Sequence, residues 1–178
     1  MFYEIKITLM YLDPPVWRTV LVPSNTNLRK FHRIIQRAMG WTESHLYMYE
    51  IGRERYGDPD PEWGPDIMDS RKMTLDKVFT DGRKSFTYEY DMGDGWRHEI
   101  KLLRAVDSEA GAKQRVIAGA RACPPEDVGG PPGYINLLVT LSDPESEDYE
   151  EMVEWLGGEF DPNEFDLAAA DEVVRKVR

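Results

Sequence analysis

Two strand-like segments separated by a short glycine-rich turn constrain the fold of this chain more than any other feature. Residues 85–92 and 96–106 show the clearest strand patterns, and Gly93-Asp94-Gly95 lies between them. Glycine adopts the positive φ values of tight turns without steric strain, so the pattern predicts a β-hairpin. The chain therefore contains at least one pair of antiparallel strands.

A three-residue loop in this hairpin would determine which side chains share a face. The predicted register pairs Tyr90 with His98 and Asp91 with Arg97. His98 then points with the apolar set, toward the core or a pocket in it, whereas Asp91 points to the other face. Only Asp94, at the tip, remains free to act with a second loop.

The first fifty residues predict an opening hairpin, a helix and a further strand. Residues 2–11 and 16–22 have strand-like composition with prolines between them. Apolar residues then recur at helical spacing from residue 27 to 39, after several possible N-caps, and Gly40 ends the pattern. Residues 45–51 alternate as a strand.

The remainder of the chain predicts one long loop and then helices. Residues 52–71 are rich in Asp, Pro and Gly and show no period, which indicates a loop that is functional or mobile. Beyond the hairpin, a Pro/Gly loop precedes three predicted helices, at about 134–141, at about 146–156 and from about 166 onward.

This order of elements predicts an α+β fold. We expect a largely antiparallel or mixed sheet with a helix packed across it, a first half that could be grasp-like, and a helical C-terminal region. At 178 residues and 41% hydrophobic content, the chain can bury the core of a single domain over residues 1–178. Residues 1–110 would form the sheet and helix core, and residues 111–178 the Pro/Gly loop and C-terminal helices.

The cysteine count, the apolar runs and the net charge indicate where the protein is located and which partners are disfavoured. The single cysteine, Cys123, excludes an intrachain disulfide, and the first residues lack a signal-peptide pattern, so we expect a cytoplasmic protein. No apolar stretch approaches the ~20 residues that span a bilayer, so no membrane partner is expected. The formal charge of −11 disfavours binding to the phosphate backbone of nucleic acids.

Dense motifs in a fixed order span nearly the whole chain. They are Pro14-Pro15-Val16-Trp17-Arg18, residues 28–41 with His32 and Met39-Gly40-Trp41, Ser44-His45-Leu46, residues 88–98, residues 123–134, Trp155-Leu156-Gly157 and Phe165-Asp166. Together they closely resemble the plasmid pRiA4b ORF-3-like proteins. The resemblance implies an α+β fold and no specific activity. Val128 departs from it, because we expect many relatives to carry cysteine there; if that cysteine pairs with Cys123 in a metal site, this chain has lost the site.

The 93–98 turn and the 124–133 loop supply most of the candidate binding residues. Our leading hypothesis is a non-catalytic binding or interaction module with a concave polar-aromatic site for an unknown small molecule or protein. Successive glycine amides in the loop could also bind an anion. The candidate binding residues are Trp41, His45, Tyr90, Asp94, Trp96, His98, Glu126, Asp127, Gly129, Gly130 and Tyr134.

A metal-dependent hydrolase is the first alternative. It would use Asp91, Asp94, His98 and Glu126, with Asp91, Asp94 and His98 as candidate metal ligands and Asp94, His98 and Glu126 as candidate catalytic groups. A divalent metal is the one cofactor considered, and nothing in the spacing requires it. The structural explanation is a turn in which Asp94 bonds local amides and His98 is a core histidine.

Two further site hypotheses remain open. The three histidines, His32, His45 and His98, could converge on one metal, although no His-Glu-x-x-His motif supports this. The second alternative function is nucleic-acid binding through the basic face of the 27–39 helix, which would use Arg29, Lys30, Arg33 and Arg37. Such a face is usually the solvated side of an amphipathic helix, and we expect acids to surround it.

Overall fold

A single eight-stranded sheet organises the protein. The computed structural model describes residues 1–60, 66–80, 82–107 and 111–178. The strands are β1 Phe2–Leu9, β2 Trp17–Pro23, β3 Tyr47–Ile51, β4 Glu54–Gly57, β5 Ile67–Asp69, β6 Ser85–Tyr90, β7 Trp96–Val106 and β8 Arg115–Ala120. Their order is β5-β4-β3-β6-β7-β1-β2-β8, and every neighbouring pair is antiparallel except β4–β5. The α+β prediction is confirmed.

Five α-helices accompany the sheet. They are α1 Leu28–Met39, α2 Leu75–Phe79, α3 Gly130–Leu141, α4 Tyr149–Leu156 and α5 Leu167–Arg175, with a 3-10 turn at Ser70–Lys72. The predicted C-terminal helices are present, but α3 begins four residues before its predicted start. Its first turn contains prolines. Proline is tolerated there because the backbone amide that it lacks would have no hydrogen-bond partner within the first turn of a helix. No helix in the described ranges is long and apolar enough to cross a bilayer.

Helix α1 lies across the sheet, because it contacts both β2 and β4, which are far apart in the strand order. The side chain of Asn27 caps its first turn by accepting a hydrogen bond from the Lys30 amide at 2.8 Å. The helix ends at Gly40, whose φ of 112° is in the left-handed region. Its apolar face packs into a core shared with aromatic side chains of β3, β6 and β7.

The β6–β7 hairpin has a longer loop than the sequence predicts. Tyr90 pairs with Trp96 and Tyr88 with His98, so the register is displaced by two residues. The strand ends before Asp91, whose φ of 55° turns the backbone and makes residues 91–95 the loop. Because side chains alternate along a strand, a register displaced by two residues leaves each side chain on its predicted face of the sheet. His98 is buried as predicted.

The predicted pairing of Asp91 with Arg97 is wrong. Arg97 is instead opposite Glu89 and forms an ion pair with Glu50 on β3. Asp91 has left the strand, and the whole residue is only 8% exposed. Its carboxylate is therefore available to the residues around the turn rather than to the outer face of the sheet.

Three strands were missed in the segments predicted as loops. β4 and β5 lie within residues 52–71, and their four and three residues are too short to show a period. β8 lies beyond residue 111 and pairs with β2, so the sheet is not confined to residues 1–110. Helix α5 packs against β8 and α1, which joins the C-terminal segment to the core.

Candidate functional site

The 91–95 turn and the loop after β8 meet directly. The carboxylate of Asp94 accepts a hydrogen bond from the Gly129 amide at 3.1 Å. Beside it, Gly130 approaches so closely that a Cβ there would lie 2.2 Å from the Asp94 carbonyl oxygen. Gly130 also has a φ of 68°, so glycine is required on both grounds. The two motif-rich segments thus form one surface.

His45 lies among three carboxylates at this junction. Its Nε2 atom is 3.0 Å from Asp127 Oδ1, 3.6 Å from Asp91 Oδ2 and 3.9 Å from Glu126 Oε2. The four residues come from the segment between α1 and β3, the 91–95 turn and the loop between β8 and α3. We call His45, Asp91, Glu126 and Asp127 the acid–imidazole cluster.

The turn itself holds the Asp91 carboxylate in place. Asp91 Oδ1 accepts hydrogen bonds from the amides of Gly93 at 3.0 Å and Asp94 at 3.3 Å. A short polar side chain that bonds amides two and three residues ahead is typical of aspartate in turns. With Oδ1 used in this way, Oδ2 is the oxygen that approaches His45.

Glu126 is held from the other side. Its Oε1 accepts hydrogen bonds from the Thr42 amide at 3.0 Å, the Thr42 hydroxyl at 3.1 Å and the Tyr90 hydroxyl at 3.1 Å. Burial and the neighbouring Glu126 raise the pKa of Tyr90, so its hydroxyl keeps its proton and donates. Oε2, also contacted by Tyr90 at 3.2 Å, is the Glu126 oxygen nearest His45.

Asp127 opens the cluster to solvent. Its side chain is 71% exposed, against 12% for Asp91 and 22% for Glu126. In the described part of the chain, His45 is the only basic residue within 4.0 Å of these three carboxylates. Even with the imidazole protonated, the cluster carries excess negative charge, so it can accept a cation.

Beneath the cluster lies a layer of aromatic rings. The centroid of the Trp41 ring is 5.0 Å from that of Tyr90, 5.9 Å from that of Trp96 and 5.4 Å from that of His98. The indole nitrogen of Trp41 donates to the Pro124 carbonyl at 3.0 Å, which fixes the loop onto the core. Trp96 and His98 are fully buried, so these rings support the site from below.

The structure does not assemble the carboxylate and histidine set of the hydrolase hypothesis. His98 is among the core rings, and burial lowers its pKa to about 4, so it is neutral at physiological pH. The carboxylate of Asp94 accepts from the Gly129 amide and is not part of the group around His45. Among the described residues, the group able to share a metal ion is His45, Asp91 and Asp127.

The remaining predicted site residues are buried or make contacts that stabilise the fold. The Gly129 amide, considered for anion binding, is bonded to Asp94, and Tyr134 is buried against Phe160. His32 bonds Tyr88 in the core, and the group around His45 that could share a metal ion includes neither His32 nor His98, so the three histidines do not converge. Burial raises the pKa of Cys123, which leaves its thiol protonated.

Sequence reasoning missed two parts of this site. Thr42 is absent from the predicted site, and His45 is a predicted metal ligand only together with His32 and His98, not with the acids that surround it. No spacing could identify His45, because its partners come from two later segments of the chain. The only sequence signal was the position of Ser44-His45-Leu46 in a dense motif.

A groove lies beside the 124–133 loop. We call it the α3–α4 groove, because helices α3 and α4 form its walls; its cavity is about 340 Å³. Three acids and the half-exposed indole of Trp155 face it, and Asp127 belongs to both the groove and the cluster. The lining residues are Asp127, Val128, Gly133, Asn136, Asp148, Glu151, Met152 and Trp155.

Acids largely surround the basic face of α1, as expected. Arg29 forms an ion pair with Asp58. Arg33 and Arg37 approach Glu43 at 3.8 and 3.5 Å. This pairing weakens the positive field that a nucleic-acid backbone would require.

Each of three comparisons with known proteins finds a match that covers nearly the whole chain. The family model for plasmid pRiA4b ORF-3-like protein matches residues 1–169. "Uncharacterized protein y4hQ" of Sinorhizobium fredii is 41% identical over 169 residues, covering 94% of this chain and 85% of the relative. The crystal structure of the protein of unknown function MM3350 from Methanosarcina mazei Go1 is similar with a TM-score of 0.87 and 33% identity, covering 94% of this chain and 96% of that one.

Proposed function

The chain belongs to the plasmid pRiA4b ORF-3-like family, and we propose that it is a non-catalytic binding module that recognises a basic segment of a protein partner. The proposed contact surface is the α3–α4 groove. One observation carries the proposal: Asp127, Asp148 and Glu151 line the same cavity as the exposed indole of Trp155. We further propose that residues 1–178 act as one domain in the cytoplasm, where a lone cysteine is ordinary.

The chemistry of the groove favours a lysine or arginine side chain. A cation can lie over the face of an indole while its charge is balanced by nearby carboxylates. The aliphatic part of the same side chain can pack against Val128 and Met152, which also line the cavity. The overall charge of −11 would attract a basic partner from a distance.

The two alternative functions have less support. The hydrolase hypothesis needs His98 beside Asp91 and Asp94, but His98 is buried among aromatic rings. Nucleic-acid binding needs a free basic face, but three arginines of that face are paired with acids. We therefore keep the binding module as the proposed function.

The proposal is tested with short labelled peptides and fluorescence anisotropy. Hexa-arginine and hexa-lysine serve as probes and hexa-glutamate as the negative control, at low and at moderate salt. Asp148→Asn, Glu151→Gln and Trp155→Ala each alter the groove. Glu154→Gln is the matched control, because Glu154 is exposed on α4 but does not line the cavity.

Two results would support groove binding. Trp155→Ala should weaken binding about fivefold, as expected for the loss of a cation–π contact of ~1 kcal/mol. Glu151→Gln should weaken it more than Glu154→Gln. Equal losses for these two variants, or unchanged affinity with Trp155→Ala, would mean that the peptides respond only to net charge, and the proposal would be rejected.

A further inference from the structure

We propose that the acid–imidazole cluster is a binding site for a divalent transition-metal ion. The ligands would be His45 Nε2, Asp91 Oδ2 and Asp127 Oδ1, with Glu126 Oε2 as a nearby fourth donor. This inference does not rest on the peptide-binding proposal, although both sites share Asp127. It also differs from the hydrolase hypothesis, which relied on His98 and Asp94.

The spacing of the donor atoms is the first observation that supports a metal site. The ligand atoms of His45, Asp91 and Asp127 all lie within 4.8 Å of one another. Ligands bound about 2.1 Å from one metal ion are roughly 3.0 to 3.4 Å apart at angles between 90° and the tetrahedral value. Nε2 of His45 is 3.0 Å and 3.6 Å from the two aspartate oxygens, so small side-chain movements would complete a coordination shell.

The state of His45 Nε2 is the second observation. This atom is shielded from solvent, yet it makes no hydrogen bond within the described ranges. Its 3.0 Å approach to Asp127 lacks the geometry of a hydrogen bond. A buried nitrogen without a hydrogen bond is costly, and coordination to a metal would satisfy it.

The carboxylates are positioned before any ion binds. Asp91 uses Oδ1 for two turn amides, and Glu126 uses Oε1 for Thr42 and Tyr90. Each therefore presents its other oxygen toward His45. Hydrogen bonds that orient ligands in this way are a regular part of protein metal sites, and they lower the entropy lost on binding.

The donor set selects the class of metal. One imidazole nitrogen with carboxylate oxygens suits Zn²⁺ or Mn²⁺, whereas Ca²⁺ and Mg²⁺ prefer oxygen ligands alone. The described ligands include no thiolate, so the site is unsuited to Cu⁺. Because Asp127 lies at the solvent-exposed side, an ion here would be reachable from the surface.

The test uses the 178-residue chain without an affinity tag, after treatment with EDTA and removal of the chelator. Isothermal titration with Zn²⁺ and with Mn²⁺ gives stoichiometry and affinity, and titrations with Ca²⁺ and Mg²⁺ give the selectivity. His45→Gln and Asp91→Asn remove ligands. Glu154→Gln again controls for the loss of one acidic charge, and circular dichroism checks that each variant is folded.

We expect one ion per chain, with Zn²⁺ bound more tightly than Mn²⁺ and both more tightly than Ca²⁺ or Mg²⁺. His45→Gln and Asp91→Asn should weaken binding of Zn²⁺ by at least about 100-fold, and Glu154→Gln should leave it unchanged. If Asp91→Asn unfolds, Asp127→Asn replaces it, since that side chain is mostly exposed. Failure of Zn²⁺ and Mn²⁺ to bind saturably, or binding that is insensitive to His45→Gln, would overturn the inference.

The two proposals fail separately. Loss of metal binding with intact peptide binding leaves the groove proposal standing, because His45 and Asp91 do not line the groove. The reverse result would leave the metal site standing, because Glu151 and Trp155 are outside the cluster.

Discussion

The Nδ1 atom of His32 lies 2.8 Å from the hydroxyl oxygen of Tyr88, inside the core between α1 and the sheet. Burial raises the pKa of Tyr88 well above 10, and burial with the nearby Arg29 and Arg33 lowers the pKa of His32 to about 3. The hydroxyl therefore donates to a neutral imidazole. Gln36 donates to the same hydroxyl oxygen at 3.0 Å, which completes the contact.

This contact and the burial of His98 predict a stability that depends on pH. Both histidines have a lower pKa in the folded protein, about 3 for His32 and about 4 for His98, than the ordinary value near 6.5. At pH 5 the unfolded chain therefore binds about one more proton at each histidine. Between pH 7 and pH 5 the free energy of unfolding should fall by about 2 kcal/mol for each histidine.

Urea denaturation at the two pH values measures this effect. The decrease attributable to the two histidines in the unaltered protein should be about 4 kcal/mol, and His98→Gln should reduce it to about 2 kcal/mol. The quantity compared is the change in unfolding free energy between the two pH values within each protein. A lower overall stability of the variant therefore does not affect the test. An identical pH dependence in His98→Gln would contradict the burial argument.

The contact between the 91–95 turn and α3 predicts an unequal response of two glycines to alanine. Gly130 and Gly157 have nearly the same φ, 68° and 69°, but a Cβ meets Asp94 at Gly130 and open space at Gly157. Gly157→Ala should cost about 1 kcal/mol of unfolding free energy for the backbone conformation alone. Gly130→Ala should cost about 3 kcal/mol, because the clash adds to this.

Chemical denaturation of both variants at neutral pH provides the measurement. The difference between them isolates the close approach of the turn and the loop from the conformational preference of glycine. Equal losses of stability would mean that the loop moves away from Asp94 without cost.

Arg18 is predicted to be a structural arginine that lysine cannot replace. It is 2% exposed, and its guanidinium donates to the carbonyl oxygens of Trp17, Ala38, Ala120 and Arg121 at 2.8–2.9 Å. Burial lowers its pKa to about 10, so it remains charged at neutral pH. Phe165 packs against the guanidinium carbon, which lies 3.9 Å from its ring centroid.

Arg18→Lys should lower the unfolding free energy by roughly 2 kcal/mol or more, because an ammonium group cannot reach carbonyls in four directions. The matched control is Arg104→Lys, since Arg104 is 70% exposed and makes a surface ion pair with Glu4. The control should change stability by less than about 0.5 kcal/mol. Thermal or urea denaturation distinguishes the two outcomes.

Tyr90 is predicted to position Glu126 for metal binding. Tyr90→Phe keeps the ring in the aromatic layer but removes the hydroxyl that donates to both carboxylate oxygens. Zn²⁺ affinity in isothermal titration should fall about 10- to 100-fold, the usual effect of losing a group that orients a ligand. Tyr134→Phe is the control, because the buried hydroxyl of Tyr134 has no hydrogen-bond partner in the described part of the chain.

Affinity equal to that of the unaltered protein in Tyr90→Phe would show that the Tyr90 hydroxyl is not needed to position Glu126, which Thr42 also holds. A similar loss in Tyr134→Phe would instead indicate a general effect of removing buried hydroxyls. Either outcome contradicts the predicted role of the Tyr90 hydroxyl.

Much of the fold was predictable because its signals are local. The capping side chain of Asn27 and the turn glycine at Gly40 determine where α1 begins and ends, and both are read from neighbouring residues. The alternation in β6 and β7 likewise placed His98 on the buried face, despite the register error. The error itself arose at Asp91, whose positive φ is uncommon for a residue other than glycine.

The site was predictable only in part. The sequence indicated that the turn and the 124–133 loop would contribute, because both concentrate glycines, acids and aromatic residues. It could not show that Asp94 would bond Gly129, or that Asp91 would leave the strand and turn toward His45. Those contacts join segments that are distant in the chain and depend on how the strands are ordered.

By itself, the sequence determined the family, the α+β class, the hairpin and the principal helices, because periodicity, caps and turn residues act over a few neighbouring positions. Only the tertiary structure decided which acids meet which histidine. His98 became a core residue because its side chain packs against Trp41 and Tyr88, whereas His45 lies where the 91–95 turn and the loop after β8 come together. Long-range packing, rather than local pattern, created the acid–imidazole cluster.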